Sequence, residues 1–107
     1  MITVTVYQHS GQYKGFCCKG HAEYAEEGYD IICAAVSVLT VNAINSIERF
    51  TEDDMTTDGG ADGYIKLTLD GEVSNDTKLL LDSMILGLKQ IQQSYGNEYI
   101  DITFKEV

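Results

Sequence analysis

Hydrophobic and polar residues alternate from the start of the chain, with Ile2, Val4 and Val6 on one side and Thr3, Thr5 and Tyr7 on the other. That period of two predicts a half-buried strand over residues 1–7. Ser10-Gly11 marks a hairpin turn within residues 8–12. A second strand is expected over 13–19, with Phe16 and Cys18 on one face and Cys17 and Lys19 on the other. Residues 20–29 carry Gly20, Gly28 and three glutamates, which suits neither strand nor helix; a long functional loop is expected there. Asp30 is a favoured helix cap, and the run IICAAVSVLTVNAINSIERF after it contains no breaker. From Ile31 to Val41 this helix is apolar nearly all round. That predicts burial on most sides, and in a small domain it points to an oligomer interface along the helix.

Residues 51–57 read as a weak strand, DGGADG at 58–63 as a flexible acidic turn, and 64–69 as a strong strand with Ile65, Leu67 and Leu69 inward. Ser74-Asn75-Asp76 caps a second helix whose Leu81, Met84, Leu88, Ile91 and Tyr95 recur at helical spacing, with Gly96 as its stop. A last strand over 98–106 turns Ile100, Ile102 and Phe104 inward. The order ββαββαβ, with one apolar face per good strand, predicts an α+β single domain spanning 1–107. Its five-stranded sheet is expected to be mainly antiparallel, with both helices packed on one face.

The 107 residues are 44% hydrophobic and 22% charged, a globular composition for one domain. Seventeen acidic against seven basic residues give a net charge of -10. That total argues against direct nucleic-acid binding and is compatible with a basic peptide as partner, although it also serves simply to keep a small domain soluble. The N-terminus does not read as a signal peptide, and the longest apolar run, at 31–41, is about half of a membrane span. No membrane partner and a cytoplasmic location are therefore expected. Three cysteines, two of them adjacent, do not suggest a disulfide framework.

Chemistry concentrates in residues 20–37, GHAEYAEEGYDIICAAVS. Cys33 falls just after the cap Asp30, where orphan N–H groups and the helix dipole favour a thiolate. His21, joined to it by one loop, is the natural base. Asp30 either orients the imidazole or only caps the helix, Ser37 lies one turn after Cys33 on the same face, and N–H groups at the helix start could form an oxyanion hole. On residue chemistry alone, a cysteine in an apolar helix is more often a small buried hydrophobe. A zinc site from Cys17, Cys18, His21 and Cys33 fails because adjacent strand residues point to opposite faces. Cys18 is assigned to the core, Cys17 to the solvent side or an interface, and both are excluded from the site. DGGADG lacks the spaced ligands of a calcium loop. No metal and no cofactor are expected.

The same stretch resembles the ribosomal-processing cysteine protease family, Prp, of Firmicutes and related bacteria. Its signature is Gly-His-Ala after the second strand, a glycine-bearing loop, then Asp, two hydrophobic residues and Cys-Ala-Ala-Val-Ser. Here these are Gly20-His21-Ala22 and Asp30 through Ser37. The resemblance implies a homodimeric cytoplasmic endopeptidase that removes a short N-terminal extension from a large-subunit ribosomal protein. It implies Cys33 as nucleophile and His21 as base, with Gly20, Asp30 and Ser37 supporting the site or touching substrate. It also implies that the loop with Ala22, Glu23, Glu26, Glu27 and Gly28 closes over a basic N-terminal peptide. The rival reading is a non-catalytic, acidic, ribosome-associated binding module.

Overall fold

The computed structural model of the chain describes residues 1–20, 29–61 and 63–107. β1 (Ile2–His9) and β2 (Gln12–Lys19) form an antiparallel hairpin. Its two-residue turn places Ser10 at φ 49° and Gly11 at φ 81°, the paired positive values whose twist matches that of the flanking strands. The register shifts between Tyr7 and Gln8, so Lys14 is an extra residue opposite that step, a β-bulge. α1 (Tyr29–Phe50) follows, then β3 (Met55–Ala61), β4 (Tyr64–Leu69), α2 (Asn75–Tyr95) and β5 (Ile100–Glu106). The sheet order is β3-β4-β2-β1-β5; β5 runs parallel to β1 and the other pairings are antiparallel.

One face of this sheet carries the core. Ile2, Val4 and Val6 of β1, Phe16 and Cys18 of β2, Leu67 and Leu69 of β4 and Ile100 of β5 pack with Ile32, Val36 and Ile47 of α1 and Leu81, Met84 and Leu88 of α2. Burying each large apolar side chain stabilises the fold by roughly 1.5–3 kcal/mol. Gly15 is required by close approach between strands: a Cβ there would stand 1.9 Å from the Leu67 carbonyl oxygen. Ser74 caps α2, accepting from the Thr77 N–H, and Gly96 ends it at φ 98°.

Four expectations need correction. β3 begins at Met55 and runs through Asp58 and Gly59, so most of the DGGADG stretch is strand paired to β4 rather than turn; backbone pairing overrides its poor strand propensity. α1 starts at Tyr29, which makes Asp30 its second residue instead of its cap. Tyr95 and Phe104 are 52% and 40% exposed, lying where the helix and the edge strand outrun the core. The apolar girth of α1 is not covered on most sides either: Ile32, Val36, Thr40, Ala43 and Ile47 are buried, while Ile31, Val38 and Val41 are exposed at 65%, 67% and 42%. By length and composition Ile31–Phe50 would pass for a membrane span, with a mean hydropathy of 1.6. In this fold its buried stripe is packed against the sheet and α2.

Candidate active site

β2 ends at Lys19, and Gly20 turns the chain away from the sheet at φ 112°. Its N–H donates to the Gly63 carbonyl at 2.9 Å, and a Cβ would meet the Met1 carbonyl oxygen at 2.3 Å. Only glycine meets both demands, the positive φ and the contact. The Gly20–Gly63 bond ties the exit of β2 to the entrance of β4, and beside it lies a cavity of about 220 Å³.

Cys33 opens into this cavity from α1, half-buried, together with Ser37 one turn further along. Thr40, the next turn, is 1% exposed and donates its hydroxyl to the Val36 carbonyl at 2.9 Å, which satisfies a polar group on the cavity wall. Ile2, Val41 and Ile65 supply apolar lining, and Gly20, Gly63 and Tyr64 complete the wall. The cavity thus presents the half-buried Cys33 thiol and the Ser37 hydroxyl beside an apolar depression.

The site residues proposed from sequence fall into three groups. Gly20, Cys33 and Ser37 line one cavity. Asp30 lies in the first turn of α1. His21, Ala22, Glu23, Glu26, Glu27 and Gly28 lie outside the described residues. With the helix starting at Tyr29, Cys33 is its fifth residue, so its own N–H is beyond the orphan donors of the first turn. The helix terminus therefore offers this thiol less than the sequence suggested.

Cys18 was excluded from the site on sequence grounds, yet it lines the cavity with Cys33. Its thiol is 7% exposed and pushed up to about 11, first by burial and then by the proximity of Cys17 and Cys33. A buried thiol held protonated is a poor nucleophile beside the half-buried Cys33. Alternation along β2 had placed Cys18 inward, two residues before Gly20; the packing of β2 beneath α1 is what brings it to Cys33. Cys17 faces the opposite side of the sheet but is only 4% exposed, so it is not a solvent-side thiol. Thr40, Gly63 and Tyr64 also belong to the cavity. Of these, only Thr40 was readable from spacing, as the i+7 position from Cys33 on one helix face.

Comparison with known proteins identifies the family. The family model described as cysteine protease Prp matches residues 1–101. The chain is 32% identical over 101 residues to the ribosomal processing cysteine protease Prp of Bacillus subtilis, covering 89% of this chain and 90% of that protein. Crystal structures of the essential ribosomal processing protease Prp from S. aureus superpose closely on it. The complex with a covalently linked product peptide gives a TM-score of 0.86 at 27% identity, and that with a substrate peptide 0.88 at 25%. Both cover 98% of this chain and 100% of the other. By fold, by length and by family model, the chain belongs to the Prp family of cysteine proteases.

Proposed function

We propose that this protein is an endopeptidase that removes a short N-terminal extension from a large-subunit ribosomal protein in the cytoplasm, with Cys33 as nucleophile and His21 as general base. The observation that carries the reading is the half-buried Cys33 thiol opening into a cavity whose wall includes Gly20, the residue before His21. His21 takes the Cys33 proton as sulfur attacks the scissile carbonyl. The leaving amine departs with that proton, and water hydrolyses the resulting thioester. The S. aureus relative has been seen with a covalently linked product peptide, which suits such an intermediate.

Three further features support the reading. The cavity's apolar lining accommodates a side chain next to the cleaved bond. Glu23, Glu26 and Glu27 give the segment between His21 and Cys33 a charge suited to a basic peptide. The open apolar face of α1, with Ile31 and Val38, suits a homodimer.

Incubation with the N-terminal peptide of the cell's own ribosomal protein, read by mass spectrometry, tests the function. A single internal cut is expected, lost in Cys33→Ala and His21→Ala while the fold persists by circular dichroism. Normal-rate cleavage by Cys33→Ala would overturn the assignment. An uncut peptide that nonetheless binds would favour the non-catalytic module.

A further inference from the structure

Both helices cover one face of the sheet, and the other face is open. The chain's seven Lys and Arg residues are divided between the two sides. Arg49, Lys78 and Lys89 lie on the helices. Lys14, Lys19, Lys66 and Lys105 lie on strands; the registers put Lys19, Lys66 and Lys105 on the open face, and a shared groove puts Lys14 with them. Lys66 and Cys17 are partners, Lys105 is partnered with Tyr7, and Lys19 follows Cys17 by two residues. Lys14, at the β-bulge, lines one shallow groove with Lys66, Lys105 and Tyr7, a depression of about 350 Å³.

Lys66 Nζ stands 5.6 Å from the centroid of Tyr7, and Lys19 Nζ stands 6.0 Å from that of Tyr64. Among the described residues the ion pairs are Lys78–Asp82 and His9–Glu106, so none of the four strand lysines is held by a carboxylate within 4 Å. Each acid near this face is placed away from the groove's centre or already partnered. Asp58 is the β3 partner of Lys66, Asp70 accepts from the Thr56 hydroxyl at 2.7 Å at the β3 side, and Asp101 sits at the far end of β5 from Lys105. Glu106 is engaged by His9 and the Ser10 N–H, and Val107 lines the groove with its oxygen held by His9 at 2.8 Å.

A chain of net charge -10 has thus gathered four of its seven cations on the one layer surface that no helix covers. We propose that this face binds single-stranded RNA, laid across β4, β2, β1 and β5. Lys66 and Lys105 stand three strand spacings apart and two residues out of line, about 16 Å, a span that accommodates two or three consecutive phosphates with Lys14 between. Lysine ammonium groups bind phosphates as point charges, and the Tyr7 and Tyr64 rings offer stacking surfaces for bases beside them. An acidic polypeptide would use the lysines but leave the rings without a purpose. The acidic surface elsewhere repels a polyanion and so restricts it to this face. Total charge, read from sequence, argues against nucleic acid; the proposal sets against it the distribution of that charge, which collects four cations on one face. The inference goes beyond peptide cleavage and does not depend on it, because Cys33 belongs to the helix side.

The test is fluorescence anisotropy of the full chain with a labelled 12-nucleotide single-stranded RNA of mixed sequence. Saturable binding is expected at 50 mM salt, weakening with a log–log salt slope of about -2 to -3. The triple variant Lys14→Gln/Lys66→Gln/Lys105→Gln should lose at least tenfold in affinity and about 2 in slope, with peptide cleavage unchanged. If the triple variant does not fold, Lys66→Gln/Lys105→Gln carries the same readout with a slope loss of about 1.4. Tyr7→Ala should weaken binding while leaving the slope in place. Lys78→Gln/Lys89→Gln, on the helices, should bind as wild type. The proposal is overturned by absence of saturable binding at 50 mM salt, by equal losses in the helix-lysine variant, or by displacement of the RNA by polyglutamate at equal charge. The last outcome would assign the face to an acidic protein partner.

Discussion

Two thiols share one cavity, and what separates their roles is water. Cys33 is half-buried and open to the depression, whereas Cys18 is 7% exposed with its thiol pushed up to about 11. The same shift has a consequence for stability. A group held protonated in the fold contributes fully below its unfolded pKa, near 9, and the contribution is lost as pH rises toward 11. Tyr13 behaves alike: burial first, then its hydrogen bond to Asp82, push the phenol up to about 12, so its contribution fades between about pH 10 and 12. Urea unfolding should therefore show stability falling from pH 9 to 11, by up to about 3 kcal/mol for Cys18. Cys18→Ala should flatten that segment of the profile although it lowers stability at neutral pH. A wild-type profile already flat from pH 9 to 11 would mean that the Cys18 thiol is not held protonated.

At the scale of elements, local rules were legible wherever one residue type does one job. Ser74 caps α2, and its hydroxyl also donates to Asp53 at 2.8 Å, tying the helix start to the segment before β3. Ser74→Ala should cost about 1–2 kcal/mol in urea unfolding, at the upper end of an ordinary cap because a second partner is lost as well. Alternation identified β1, β2 and β4 with their inward residues, and helical spacing identified α2. What stayed illegible depends on neighbours. β3 carries glycines and an aspartate that read as turn, and it is strand because β4 offers it a ladder. The parallel pairing of β5 with β1 joins the two ends of the chain, and nothing in either segment names its partner. At the site, Cys33 and Ser37 could be brought together from one helix face, but Cys18 could not, because its place there comes from packing of β2 against α1.

For the whole molecule, asymmetry between faces is the main property that composition conceals. Four of the seven cations lie on the open sheet face, while Ile31 and Val38 leave an apolar strip on the outside of α1. Burial of that strip against a second copy predicts a solution mass of about twice 11.8 kDa by light scattering. Val38→Glu, 67% exposed here and so harmless to the single-chain fold, should halve that mass. An unchanged dimer in that variant would move the interface elsewhere on the surface. A wild-type monomer at micromolar concentration would remove it altogether.

Cys33 as the attacking sulfur can be tested by rapid acid quench of the protein mixed with the N-terminal peptide of the cell's own ribosomal protein, followed by mass mapping of the cysteine-containing fragments. The account predicts a transient adduct, equal in mass to the N-terminal product less water, on the fragment carrying Cys33. It should be absent from Cys33→Ala and strongly diminished in His21→Ala. An adduct on Cys18, or normal-rate cleavage with no adduct in Cys33→Ala, would contradict it.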